Sequence, residues 1–207
     1  VACIIIEPIQ AEGGDNHFRD EFFQGLRKLC DENEVLLIFD EVQTGIGITG
    51  KMWAFQHFSV VPDIISFGKK TQVCGCLANK EKFDQVPNNV FLESSRINST
   101  FGGNFIDMLR FQMVMEVIEK ENLVKNARTV GEYLLNGLQE LANKYPEKLS
   151  NARGRGLMCA IDLPSGELRD KMRSFLYAKK VIILSCGDHS IRFRPHLNVT
   201  KEKIQIA

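Results

Sequence analysis

Asp40 and Glu41 directly follow the apolar run Val35–Phe39. Such a run reads as a strand buried on both faces, so at least one of the two carboxylates emerges at the carboxyl edge of a sheet, where open α/β folds place their ligands. A carboxylate there must meet a cation or hydrogen-bond donors, because an unpaired buried charge is costly. Two chemistries fit. In the first, the acid holds Mg²⁺ in a nucleotide-hydrolysing site, and the stretch Gly45 to Lys51 imitates the G-x-x-x-x-G-K phosphate loop. Met52, however, stands where that loop needs a hydroxyl, and the stretch follows the acid instead of preceding it. In the second, the acid keeps an organic cation charged, such as a protonated pyridine nitrogen acting as an electron sink, and a lysine supplies an amine for a Schiff base. Lys69 and Lys70 follow the short apolar segment Ile64–Phe67, which sets an amine at the carboxyl edge of another strand. Withdrawal from water lowers a lysine's pKa and yields the neutral amine that this chemistry requires. On physical grounds alone, a lysine at a strand end is more often a solvated surface charge.

The elements that must position these groups follow from periodicity. Val1 to Ile6 is a continuous apolar strand halted by Glu7-Pro8, and a polar, glycine-rich loop runs from Ala11 to Asn16. Between Phe18 and Asn33, the spacing of Phe22, Leu26, Leu29 and Cys30 predicts an amphipathic helix. With Val35–Phe39 this makes a strand–helix–strand crossover in a parallel sheet. Ile64–Phe67 and Gly75–Ala78 are further strands, and Asn79 to Gly103, poor in periodic apolar positions, reads as a long functional loop. Ile106, Leu109, Met113 and Val117 mark a helix from Asn104 to Glu121. Leu123, Ala127, Val130, Leu134, Leu138 and Leu141 mark a second long helix, with Pro146 shortly after it. Strands at Leu157–Leu163, Val181–Leu184 and Ile191–Phe193 surround a helix from Glu167 to Lys179. The predicted class is α/β, with a boundary near Leu109. Residues 1–109 form the C-terminal part of a large parallel or mixed-sheet domain, and residues 110–207 a small α/β domain with long connecting helices.

Composition narrows the function. The 26 Lys and Arg balance the 26 Asp and Glu, so there is no bulk attraction to nucleic acid or anionic membrane. The longest apolar runs fall far short of the ~20 residues that cross a bilayer, and a soluble, cytoplasmic protein is expected. The six cysteines lie scattered without C-x-x-C spacing and are expected to be reduced; only Cys74 and Cys76 are close, the histidines are distant in sequence, and no metal site is expected. The chain opens on Val1 without an initiator methionine, so it reads as a truncated piece.

Three ordered motifs carry a resemblance. Glu7-Pro-Ile-Gln-Ala-Glu-Gly-Gly14, Phe39-Asp-Glu-Val-Gln-Thr-Gly-Ile-Gly-Ile-Thr-Gly50, and Pro62-Asp-Ile with Phe67-Gly-Lys-Lys70 resemble the class III, fold type I aminotransferases, which use pyridoxal 5'-phosphate. The segments Phe67–Gly75, Arg96–Gly103, Arg153–Cys159 and Arg192–Pro195 most resemble the branch that acts on the 6-amino group of L-lysine. The likeness runs the whole chain, which corresponds to the C-terminal half of that family's longer proteins. It implies transfer of that amino group to 2-oxoglutarate, giving 2-aminoadipate 6-semialdehyde and glutamate. Ornithine or 4-aminobutyrate as donor, or a non-catalytic binding protein on the same fold, are the alternatives.

Residue by residue, the resemblance assigns Asp40 to the pyridinium nitrogen, with a loop-capping Asx turn as its structural alternative, and Gln43 to the cofactor's phenolic oxygen. Spacing from Pro62 makes Lys69 the Schiff-base lysine, with Lys70 the alternative. Ser99 and Thr100 match a segment that reaches the phosphate of a neighbouring subunit's cofactor, which implies a homodimer. Asn98 matches a position near substrate. Arg192 matches the substrate-carboxylate arginine, with Arg194 the alternative because both share a strand face. Glu12 matches an acid that masks this arginine while the ω-amine reacts and swings away for 2-oxoglutarate. Glu7 matches a further acid near the cofactor, with a strand-end structural role equally open. Ile48 departs from the arginine common in the family's Gly-x-Gly-Arg-Thr-Gly, which puts a loop contact in question. This piece alone is expected not to turn over, since the phosphate cradle and ring-stacking residues lie outside it.

Overall fold

The structure is a computed structural model and describes residues 1–97 and 99–206. It opens with β1 (Cys3–Ile6), the short pair β2 (Ile9–Gln10) and β3 (Asn16–His17), helix α1 (Asp20–Glu32) and β4 (Leu36–Asp40). After a loop come β5 (Ile64–Phe67), β6 (Gly75–Ala78) and the short α2 (Lys80–Phe83). The long helices α3 (Phe105–Lys120) and α4 (Leu123–Lys144) follow. The chain then runs through β7 (Ser150–Arg155), β8 (Met158–Asp162), α5 (Gly166–Ala178), β9 (Leu184–Cys186), β10 (Ser190–Phe193) and α6 (Lys201–Ile206).

Two four-stranded sheets result. The first has the order β1-β4-β5-β6, with β1, β4 and β5 parallel and β6 antiparallel at the edge. The crossover read from the sequence is therefore present: α1 carries the chain from β1 back to its parallel partner β4. The second sheet, β7-β8-β10-β9, is antiparallel throughout. The α/β class with a mixed first sheet stands as expected. Leu109, where the sequence placed a domain boundary, lies inside α3. Among the described residues no helix is long and apolar enough to cross a membrane.

Several expectations are corrected. The buried face of α1 is Phe23 and Cys30, with Leu26 packed beside them, whereas Phe22 and Leu29 are exposed. The apolar positions of this helix exceed one stripe, and the ring that reaches the sheet is Phe23, against Phe39 and Phe58. Strand β9 begins at Leu184, because Ile182 points to solvent and does not continue an inward alternation. The stripe on α3 does not enter a core: Ile106, Leu109, Met113 and Val117 are exposed and line a cavity instead. On α4 the expected stripe is buried from Leu123 to Leu138, and only Leu141 stands out of it.

The two sheets are joined through the loop after β4. Ile48 is buried against Ala127, Val130 and Leu157, and its carbonyl accepts the Leu157 N–H at 2.9 Å. An apolar residue suits this place because its side chain fills a junction and its backbone makes the polar contact. The junction is tight: a Cβ on Gly131 of α4 would stand 2.0 Å from the Gly156 carbonyl carbon, so only glycine lets the helix approach that turn.

Candidate active site

Asp40 closes β4 and pairs in register with Ser66 of β5, three residues before Lys69. Acid and amine thus stand at the carboxyl ends of adjacent parallel strands. Asp40 Oδ1 accepts the Val42 N–H at 3.0 Å and the Ser66 hydroxyl at 3.1 Å. The first bond is the Asx turn anticipated for this residue; Oδ2 accepts nothing from the described residues and is left for another donor. The neighbouring Glu41 goes the other way. It is fully buried and accepts from Thr44 Oγ1, Ala54 N and Phe55 N at 2.7 to 2.9 Å. Burial pushes its carboxyl above the ordinary value, and these three donors oppose that. Of the two acids, Glu41 therefore braces the loop and Asp40 serves the edge.

Past Phe67 the chain turns sharply, with Lys69 in a left-handed conformation (φ 55°). Lys69 and Lys70 both line a cavity of about 1010 Å³, together with Gln43, Arg192 and Arg194. Their environments differ. Lys70 Nζ donates to the Gln43 carbonyl at 2.8 Å, and burial, aided by the charge of Lys69, lowers its pKa to about 8. Lys69 is exposed to the cavity, and its amine enters no hydrogen bond or ion pair with the described residues. The criterion of withdrawal from water is met by Lys70, while the uncommitted amine belongs to Lys69.

Across the cavity, Arg192 on β10 pairs with Glu12 at 2.6 Å; the arginine side chain is 10% exposed and the glutamate 71%. Arg192 Nε and Nη1 are buried without partners among the described residues. A guanidinium with unsatisfied buried donors is suited to receive a carboxylate, and the glutamate is the solvent-exposed half of the pair. Arg194 is committed elsewhere through both terminal nitrogens, donating to Asp15 Oδ1 at 2.8 Å and to the carbonyls of Phe193 and Cys159, with only its Nε buried without a partner among the described residues.

Asp40 and Glu12 are not themselves among the residues that border this cavity, and the remaining expected residues lie apart from it. Glu7 Oε2 accepts the Ala11 N–H at 3.0 Å and so shapes the loop that carries Glu12. Ser99 and Thr100 are exposed in the turn segment between α2 and α3 and do not border the cavity. Asn98 lies outside the described residues. Sequence reasoning missed Asp15 and Arg153, which organise the Glu12 loop. Asp15 sits in a polar, glycine-rich stretch where nothing marks burial, yet it is wholly buried. Among the described residues no three His, Cys, Asp or Glu are grouped to hold a metal ion.

An acid and an amine stand at neighbouring strand ends, and the amine shares a cavity with an arginine paired to an exposed acid, an arrangement suited to amine chemistry on carboxylate-bearing substrates. The chain belongs to the class III aminotransferases: all of it, residues 1–207, matches the family described as aminotransferase class-III. It is similar to the L-lysine-epsilon aminotransferase of Mycobacterium tuberculosis, with 52% identity across 100% of this chain and 46% of the relative. It is similar also to the L-lysine-epsilon aminotransferase of Streptomyces clavuligerus, with 48% identity across 100% of this chain and 45% of the relative. The solved structure of lysine aminotransferase from M. tuberculosis in the internal aldimine form superposes with a TM-score of 0.95 at 52% identity, covering 99% of this chain and 47% of that one. The chain spans about half the length of the curated relatives it matches.

Proposed function

We propose that this segment belongs to an enzyme that transfers the 6-amino group of L-lysine to 2-oxoglutarate, giving 2-aminoadipate 6-semialdehyde and glutamate. The observation that carries the reading is Arg192, which lines the cavity with Lys69, keeps two buried donors without partners among the described residues, and is paired with the exposed carboxylate of Glu12. With Glu12 in place, Arg192 is neutralised and a lysine can present its ω-amine with no carboxylate at that end. With Glu12 swung out, the freed guanidinium grips the α-carboxylate of 2-oxoglutarate bidentately. One pocket thereby serves both halves of the cycle. The names borne by the most similar relatives support lysine as donor.

The residues fit pyridoxal 5'-phosphate. Asp40 Oδ2 is open to accept the ring N–H, and Lys69 Nζ is open to hold the cofactor covalently. The Gln43 side chain borders the same space for the ring oxygen, with its backbone pinned by Lys70. When bound, the cofactor supplies an electron sink for the pair of electrons released as the amine-bearing carbon is deprotonated. Asp40 would keep the ring nitrogen protonated, and Lys69 Nζ would hold the cofactor and carry the proton at the amine-bearing carbon. Glu7 supports the site through the loop that carries Glu12, and the family resemblance assigns Asn98 to the substrate. Ser99 and Thr100, exposed and away from their own chain's cavity, complete the phosphate site of a second copy, so the enzyme is a homodimer. It is cytoplasmic and binds neither nucleic acid nor membrane.

The test is donor choice in a chain of the relatives' full length that carries this segment. Glutamate formation from 2-oxoglutarate is followed with lysine, ornithine or 4-aminobutyrate. Lysine is expected to exceed either rival by about tenfold or more in kcat/KM, about 1.4 kcal/mol of discrimination. Equal rates would remove the assignment of lysine.

A further inference from the structure

The Glu12 mask works only if its backbone stays fixed while its side chain is free, and if one arginine alone competes for it. Both conditions trace to Asp15, three residues downstream. Asp15 is wholly buried, in a left-handed conformation (φ 53°), and its N–H closes the loop onto the Ala11 carbonyl at 3.0 Å. The second sheet grips this loop by its backbone. Arg153 of β7 donates Nε to the Asp15 carbonyl at 2.9 Å and Nη2 to the Gly14 carbonyl at 2.6 Å. The Gly187 N–H donates to the Glu12 carbonyl at 3.0 Å. The Asp15 carboxylate holds Arg194 Nη2 at 2.8 Å, while its other oxygen is buried without a partner among the described residues. Arg192 and Arg194 line one cavity whose other lining residues include no carboxylate. Glu12 is the acid brought to that cavity, by way of Arg192.

We infer that Asp15 is a positioning residue that sorts the two arginines: by holding Arg194 it leaves Arg192 alone to exchange Glu12 for the substrate carboxylate, and by anchoring the loop it confines that exchange to rotation of the Glu12 side chain. A buried guanidinium deprived of its anion must find another. Released from Asp15, Arg194 takes Glu12 jointly with Arg192, and the mask is held shut. The donor half-reaction, which uses the masked state, is spared; the acceptor half-reaction, which needs Glu12 out, is impaired. This inference rests on the transamination reading proposed above.

The experiment uses the full-length, cofactor-loaded enzyme. It compares Asp15→Asn with the double variant Asp15→Asn/Arg194→Met, measuring the single-turnover rate with lysine and the KM for 2-oxoglutarate. In Asp15→Asn the KM for 2-oxoglutarate is expected to rise about tenfold or more, with the lysine half-reaction kept within about threefold. In the double variant the acceptor KM returns to within about threefold of the parent, because the competing cation is gone. Equal loss in both half-reactions, an unchanged acceptor KM in Asp15→Asn, or no recovery in the double variant would overturn the inference. Should Asp15→Asn fail to fold, the double variant decides alone, since it exchanges a buried charge pair for a neutral one. An acceptor KM near the parent's then supports the inference, and a tenfold rise overturns it. A parent enzyme that converts no amine donor would defeat the transamination reading itself, a result distinct from either variant's.

Discussion

At the scale of single residues, the site divides labour between neighbours that look alike in sequence. Glu41 is sealed inside and Asp40 stands at the strand end; Lys70 is tied to the Gln43 carbonyl and Lys69 is open; Arg194 is bound to Asp15 and Arg192 keeps two donors without partners among the described residues. The mask on Arg192 gives a direct expectation for Glu12→Gln. With the charge removed, the guanidinium is permanently available to α-carboxylates, so the preference for lysine over glutamate as donor should fall about tenfold in kcat/KM, the effect of losing about 1.4 kcal/mol of discrimination. Steady-state kinetics with both donors measures it, and an unchanged ratio would mean that Glu12 is not the mask. Asp40, Glu12, Lys69 and Arg192 were singled out because each sits at a strand edge or in a motif that resembles the family's, and the resemblance also chose one member of each adjacent pair. The different partners of the two members were not legible, since they include a backbone carbonyl 27 positions away, which carries no residue signature.

Among the elements, α4 fits closely against the turn between β7 and β8, and the 48–50 loop of the first sheet packs on that same turn and so joins the two sheets. Gly131→Ala would drive a methyl group into the Gly156 backbone, against which it would stand at 2.0 Å. We expect it to cost about 3 kcal/mol or more, since backbone on both sides cannot yield as a side chain would. Urea denaturation measures the loss, and a variant as stable as the parent would show that the junction is looser than its geometry. The crossover of β1, α1 and β4 was legible because buried parallel strands are uninterrupted apolar runs. Strand β7 was not, because Ser-Asn-Ala-Arg-Gly-Arg has no apolar alternation and is drawn into the sheet by its partner β8, whose five residues are all buried. The α3 stripe was legible as a helix but not as a cavity wall, since periodicity reports a face and not what the face meets.

At the scale of the whole molecule, one ionic network lies where the loop of the first sheet meets the second. His17 is half-buried there, and loss of water lowers its pKa to about 4; Asp15 opposes this, while Arg155, Arg153 and Arg194 reinforce it. The folded chain keeps His17 neutral down to about pH 4, whereas the unfolded chain protonates it near its ordinary 6.5. Between those values the unfolded state binds the extra proton, so stability falls as pH falls through that window, by up to about 3 kcal/mol. His17→Gln should flatten this acid limb in denaturation curves taken from pH 7 to 4, and a variant with the same slope as the parent would place the loss in other groups. The central claim is that an amine on the rim of the first sheet, opposite Asp40, holds the cofactor. Borohydride reduction of the cofactor-loaded, full-length enzyme, followed by peptide mass mapping, tests it most directly. The expected result is a single pyridoxyl adduct on Lys69; an adduct on Lys70, or none on this segment, would contradict it.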